Sequence, residues 1–522
     1  MSRILILLMF VFWLGWKPEY CAQPPLGLAS STVVFLGVYV LLVLVTASWS
    51  RWLAGKVAAP NFNRSLVRFN RVIFGARIFI PIWFLLGIWA LGWWQAVYLL
   101  LGHARAELIQ TTVGVLVGML PPLAAWTALW WSQYPAEIAF REQSLLSQLE
   151  ADLPVHRPPS LSSYVLCNIR QQLLFIVIPM LIAVLLHDAI CIGGTFATGG
   201  RYGLNDPDNP LPWLTALGLV VFFAPEILRR VLHTERLADS PLRRRLEAMC
   251  RRTGVKYRDI LLWRTQNNVG NAAVMGFVPR LRYVLLSDLL LETMTDEQVE
   301  AVFAHELGHV VHRHMIWYVV FCGVLMTFSF GSSGWAGRLL QGLGLREDLA
   351  QGLFIIAEST FKFLVLFGFV SRRFERQADV FAARTMELTR QAVPNCSASD
   401  TLLAARHLEA VGAPAPVATA TAVVELKSAP IQRQRRSDSH VGQYGAAIFG
   451  SALHRVAIVN NIPVGARSWC HGSIATRMKY LQSLSADPSH TERFDRFMLF
   501  LYGSLLFALF AGSAFVAASV LS

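Results

Sequence analysis

Long apolar runs separated by short polar stretches set the pattern of this chain. The runs cover residues 32–49, 78–101, 108–131, 173–192, 211–228, 315 to about 330, 353–370 and 497–521. Each is long enough to cross, or nearly cross, a hydrocarbon layer as a helix. A shorter apolar run within residues 1–16, headed by Arg3, reads as a signal peptide or an uncleaved anchor. The lack of a clean A-x-A site before Pro24 and Pro25 favours the anchor. The pattern therefore divides into a signal-like or anchor segment (1–30), a multi-span region (31–228), a polar part (229–314), a two-span hairpin (315–370), a second polar part (371–496) and a closing membrane helix (497–522). Within the second polar part, residues 413–438 are rich in Ala, Pro, Thr and Arg and read as a flexible insertion.

Composition agrees with this pattern. Of 522 residues, 54% are hydrophobic and 15% charged, and mean hydropathy is +0.46, too apolar for a soluble enzyme of this length. The number of spans excludes a soluble secreted enzyme. A net charge of +13 raises the question of nucleic acid, but the cations cluster beside apolar runs and no basic-aromatic platform is present, so no nucleic-acid partner is expected. Arg51, Lys56, Arg64, Arg68, Arg71 and Arg77 make one basic loop, and Arg229 to Arg252 another, whereas the turns near His103 and Asp206 are poor in cations. Strict alternation then puts the basic loops and both polar parts on the cytoplasmic side of a bacterial inner membrane or an endomembrane. The seven cysteines are scattered without C-x-x-C spacing, which argues against a disulfide framework. Nothing in the pattern specifies an oligomeric state.

The chemistry lies at the end of the first polar part. Thr295-Asp296-Glu297-Gln298 has the form of a capping box and starts a predicted helix that carries His305-Glu306-Leu307-Gly308-His309. One helical turn apart, His305 and His309 project from one face and suit one tetrahedral zinc, with Glu306 placed to take a proton from water at the open position. The expected third ligand is Glu375, on a predicted helix that also carries Asp379 one turn later, suited to accept the free N–H of a ligand histidine. His312 and His314 read as a polar collar entering the membrane. His187-Asp188 reads as an interfacial polar pair. Glu358 and Lys362 read equally as chamber-lining groups or as a local ion pair.

His305-Glu306-x-x-His309 followed by Glu375-x-x-x-Asp379 resembles the integral-membrane zinc metalloproteases of the CAAX prenyl protease (Ste24) and HtpX group. Asn271-Ala272-Ala273-Val274-Met275-Gly276 is similar to that family's N-A-x-x-x-G edge strand, and His471-Gly472-Ser473 with Arg477 to its late H-P-x-x-x-x-R segment, with Gly472 in place of Pro. The resemblance runs from about Leu237 to Leu484. It implies a mostly α, polytopic membrane protein whose zincin-type (gluzincin) catalytic domain carries a small β edge strand and is split around the membrane hairpin. It further implies one Zn²⁺ per chain on His305, His309 and Glu375, Glu306 as general base, and His471 as oxyanion donor. Arg477 would order nearby acids, and Asn271, Ala272 and Gly276 would bind substrate as an added strand. The expected activity is hydrolysis of peptides or membrane proteins at the cytoplasmic face. The competing reading is a non-catalytic scaffold or transporter that retains a zinc site.

Overall fold

The structure is a computed structural model and describes residues 2–15, 22–101, 107–150, 158–200, 203–204, 209–341, 358, 361–392, 440–466 and 471–521. The expected insertion 413–438, the turn at His103 and residues 353–357, 359 and 360 of the expected span 353–370 lie outside these residues.

In chain order come α1 (Ser2–Leu14), α2 (Leu28–Ala54), α3 (Phe62–Trp89), α4 (Trp93–Leu101), α5 (Glu107–Glu150), α6 (Leu161–Asn168), α7 (Phe175–Thr198) and α8 (Leu211–Val231). A π-helical turn at Ile169–Leu174 joins α6 to α7. Next come β1 (Thr234–Arg236), α9 (Pro241–Thr253), β2 (Asp259–Trp263), β3 (Ala272–Met275), β4 (Tyr283–Ser287), α10 (Asp288–Thr293) and α11 (Asp296–Val311). The remaining helices are α12 (His314–Gln341), α13 (Gly368–Ala392), α14 (Gln443–Val459), α15 (Ile474–Ala486) and α16 (Pro488–Leu521). The protein is thus mostly helical, with one four-stranded sheet of order β1-β2-β4-β3.

Among the described residues six helices are long and apolar enough to cross a membrane: α2, α3, α5, the run 161–198, α8 and α16. Their surfaces match that role. Val33, Val40, Leu41, Leu44 and Val45 of α2 and Leu499, Phe500, Phe507 and Phe510 of α16 are exposed, a density of bare apolar side chains that water does not tolerate but lipid does. Two expected boundaries move. The run 78–101 is not one span: α3 already begins at Phe62 and ends at Trp89, and Gly92, at φ 71°, turns the chain into the separate short α4. Arg64, Arg68, Arg71 and Arg77 therefore lie on α3 and not in a loop.

The chain forms two compact units: residues 1–235 with 262–270 and 287–293, and residues 236–261, 271–286 and 294–522. The first unit is built around aromatic packing. Ile6, Phe10 and Trp13 of α1, Phe35 of α2, Phe84 of α3 and Trp126 and Trp130 of α5 are buried together. Two indole N–H groups in this core donate to backbone carbonyls, Trp93 to Gly118 at 2.9 Å and Trp83 to Phe35 at 2.9 Å, whereas that of Trp126 is buried without an acceptor. His187 and Asp188 form the expected polar pair at 3.1 Å, to which Thr112 adds a hydrogen bond at 2.9 Å.

In the second unit β3 is an edge strand, paired antiparallel with β4 from Ala272↔Leu286 to Met275↔Tyr283. Helix α11 starts as predicted. The Thr295 hydroxyl accepts from Gln298 N and the Gln298 carbonyl from Thr295 N, both at 3.3 Å, so two otherwise orphaned N–H groups are satisfied. Val299, Val302, Phe303 and Leu307 bury its apolar side, and Arg245 of α9 ties down its first turn through Asp296 and Glu300. The helix does not continue through His314. Arg313, at φ 55°, breaks it, and α12 leaves at 48°.

Candidate metal centre

The arrangement begins with how closely two helices approach. A side-chain carbon added to Gly308 would lie 3.0 Å from Ala378 Cα, so glycine lets α13 lie against α11. That contact presents Glu375 to both histidines. Nε2 of His305 and Nε2 of His309 are 3.3 Å apart, and Glu375 oxygens lie 3.6 Å from the former and 3.7 Å from the latter. Donors bound to zinc at about 2.0–2.1 Å in a tetrahedron are separated by about 3.3–3.4 Å, so this triangle matches one face of a zinc site. The donor set, two imidazoles and one carboxylate, also suits that ion, and among the described residues these three alone meet the geometry of a metal cluster.

The surrounding charges are ordered. Asp379, fully buried, places one oxygen 3.0 Å from His305 Nδ1 and accepts at the other from Arg477 Nε at 2.9 Å. The carboxylate lies off the ring N–H direction, so Nδ1 has close charge contact without a well-directed hydrogen bond. Phe449 of α14 stacks on the His305 ring at 5.6 Å. His471 Nδ1 is 2.9 Å from the Glu375 carboxylate, from a ring that is 56% exposed. Gly472, beside it, has φ 76°, which proline cannot adopt, so the backbone here departs from the H-P form of the motif.

Titration follows from these neighbours. Burial disfavours a charged His305, but Asp379 and Glu375 outweigh it and raise the ring to about 9. Burial and the facing His305 lower His309 to about 3, leaving a neutral imidazole. Burial alone would raise Glu375 and Asp379. Instead His305 and His471 hold Glu375 well below the carboxylate range, and Arg477 with His305 lowers Asp379. Glu306, desolvated in the cleft, is pushed up to about 7.

Glu306 faces the sheet edge. One of its oxygens accepts from Val274 N of β3 at 3.1 Å. Ala272 is buried in the strand, Gly276 ends it at φ 105°, and Asn271 precedes it at the surface. All ten residues expected at the site are thus in one unit, with the strand edge, Glu306 and the metal-type donors adjoining.

One group differs from expectation. His314 is not a collar at the membrane. It is buried, with Nδ1 2.9 Å from His309 Nδ1 and Nε2 2.9 Å from Gln377 Oε1, and Gln377 also accepts from Tyr502 of α16. The break at Arg313 turns it back toward His309. Elsewhere in this unit Glu358 and Lys362 pair at 2.5 Å, and Lys362 also donates to Ser329.

Comparison with known proteins gives four findings. Residues 236–495 match the model of peptidase family M48. The chain is 31% identical over 126 residues to a CAAX prenyl protease 1 homolog of Oryza sativa subsp. japonica, covering 23% of this chain and 30% of that one. It is 30% identical over 146 residues to protease HtpX of Chromohalobacter salexigens, covering 26% of this chain and 48% of that one. The chain thus spans less than half the length of these two relatives. The crystal structure of S. mikatae Ste24p aligns over 85% of this chain and 98% of that one, at 13% identity and a TM-score of 0.35.

Proposed function

We propose, from the match of residues 236–495 to peptidase family M48 and from the membrane-spanning helices, that this chain is a zinc-dependent endopeptidase acting on peptides or membrane proteins at the cytoplasmic face. The supporting observation is the adjacency of three zinc-type donors, the Glu306 carboxylate and the edge strand of the sheet.

His305, His309 and Glu375 would hold one ion. When bound, zinc supplies Lewis acidity, lowering the pKa of water and polarising a carbonyl. The protein's own groups do the rest. An extended substrate adds to the outer edge of β3 through main-chain hydrogen bonds, which read backbone rather than side chains. Val274 N–H, which reaches Glu306 at 3.1 Å, marks where that strand passes the carboxylate. Glu306 takes the proton of the attacking water and returns it to the leaving amine, a role suited to a carboxyl near neutrality. His471 is positioned to donate to the oxyanion after leaving Glu375, and Arg477 holds Asp379 in place behind His305. His314 and Asp379 each orient one ligand ring from its far nitrogen.

The test is cleavage of casein or unstructured peptides by detergent-purified protein before and after zinc chelation. Activity lost on chelation and restored by zinc supports the reading. Cleavage indifferent to chelation contradicts it. The cytoplasmic assignment is tested by labelling single cysteines introduced at Arg244 and Gly200 in intact cells, with only the latter reached by an impermeant reagent.

A further inference from the structure

Away from the metal centre, α13, α15 and α16 enclose an open cleft of about 300 Å³ lined by Arg373, Arg376, Tyr480, Arg493, Phe494 and Phe497, among others. Three arginines and no carboxylate line it. Two acids of α16 and its start already have partners: Asp495 pairs with Arg384 at 2.7 Å, and Asp487 accepts from Ser489 N at 2.8 Å and lies 3.6 Å from His490 of the cleft, with Arg493 acting on it more weakly. Among the described residues Arg373, Arg376 and Arg493 make no ion pair with a carboxylate. Arg376 lies over the Tyr480 ring at 4.9 Å. Arg373 lies over Phe369 at 4.9 Å and Phe497 at 5.2 Å, and its Nε is buried without an acceptor. Cations crowded together without an ion-paired carboxylate of their own await an anion.

The position of the cleft indicates which anion. In α13 the polar sequence Arg372-Arg373-Phe374-Glu375 follows the apolar segment that ends at Val370. In α16 the polar residues 488–496 end at Phe497, from which the apolar span proceeds. Both helices change from polar to apolar at the level of the cleft, where a bilayer presents its phosphates. Below it Phe369, Leu499 and Phe500 are exposed, as a surface for acyl chains.

We propose that this cleft binds the phosphate of an anionic phospholipid headgroup, with Arg373, Arg376 and Arg493 as its ligands. Basic pockets between membrane helices are built for this chemistry. The proposal does not depend on proteolysis and is read by binding alone. Native mass spectrometry of the full chain, titrated with phosphatidylglycerol or phosphatidylcholine, tests it. The wild type retains one phosphatidylglycerol and releases phosphatidylcholine. At about fivefold per arginine near a membrane surface, R373Q/R376Q/R493Q binds phosphatidylglycerol about a hundredfold more weakly. The control R64Q/R68Q/R71Q, which removes three exposed arginines of α3, matches the wild type. Should the triple variant fail a thermal-melting check, R493Q alone, at the exposed rim, gives about a fivefold loss. Undiminished binding in the folded variant, or an equal loss in the control, overturns the proposal. Displacement of the lipid by millimolar inorganic phosphate overturns the lipid assignment in favour of a free-anion site.

Discussion

Asp379→Asn changes almost no volume, yet it removes the carboxylate that lies nearest to both His305 Nδ1 and Arg477. Asp379 is 0% exposed, 3.0 Å from His305 Nδ1 and 2.9 Å from Arg477 Nε. Two costs follow. The Arg477 guanidinium loses its paired carboxylate and keeps only Glu375, at 4.0 Å. Breaking a buried ion pair from one side costs about 3–5 kcal/mol of stability. The His305 ring also loses the partner that holds its orientation, and loss of such an outer partner lowers metal affinity about 10–100-fold. The double variant with Arg477→Met separates these effects. Removing both charges leaves neither uncompensated, so it should be more stable than the Asp379→Asn single variant, while its zinc affinity stays low. Zinc affinity is read by competition with a chromophoric chelator, and stability by unfolding of the metal-free protein in detergent. Zinc affinity within twofold of wild type in folded Asp379→Asn refutes the reasoning. So do stability losses that simply add in the double variant.

Three further outcomes follow from the same geometry. Zinc must displace the proton that keeps His305 charged up to about pH 9, whereas His309, at about 3, is already neutral. Apparent zinc affinity therefore rises from pH 6 to pH 9, and calorimetry in buffers of different ionisation heat should find about one proton released near pH 7, with a further fraction from Glu306. Affinity independent of pH across that window contradicts the assignment. His314→Phe keeps the parallel stacking on Phe374, at 4.6 Å, but removes the hydrogen bond to His309, so zinc affinity falls about tenfold with little change in melting temperature; unchanged affinity makes His314 a packing residue only. Gly308→Ala puts a methyl group 3.0 Å from Ala378 Cα and pushes α13 away, costing about 1–3 kcal/mol and weakening zinc binding through Glu375; a variant as tight as wild type would show that helix spacing does not position this ligand.

How much of this was legible in the chain depends on distance along it. His305, Glu306 and His309 share one helix, and Thr295 with Gln298 marks its start, so spacing alone places them. Glu375 and Asp379, one turn apart on a second predicted helix, were legible as a third ligand and its neighbouring acid once the histidine motif called for them, and the resemblance to a family agreed. His314 was misread for a geometric reason. On a continuous helix it would point about 140° away from His309, since five residues turn about 500°. Only the break at Arg313 brings it back, and a positive φ at an arginine leaves no local signal. The helix break after Trp89 had one, Gly92, but a continuous apolar pattern masked it. The basic cleft left no local signal, because Arg373 and Arg376 meet Phe497 and Tyr480 from more than a hundred positions away.

Zinc content and casein cleavage, measured together on detergent-purified wild type and Glu306→Gln, test the central claim most directly. The substitution leaves His305, His309 and Glu375 in place and removes only the group that moves the proton. About one zinc per chain in both proteins, with cleavage in the wild type alone, is the expected result. Zinc absent from both, or cleavage equal in both, would contradict the account.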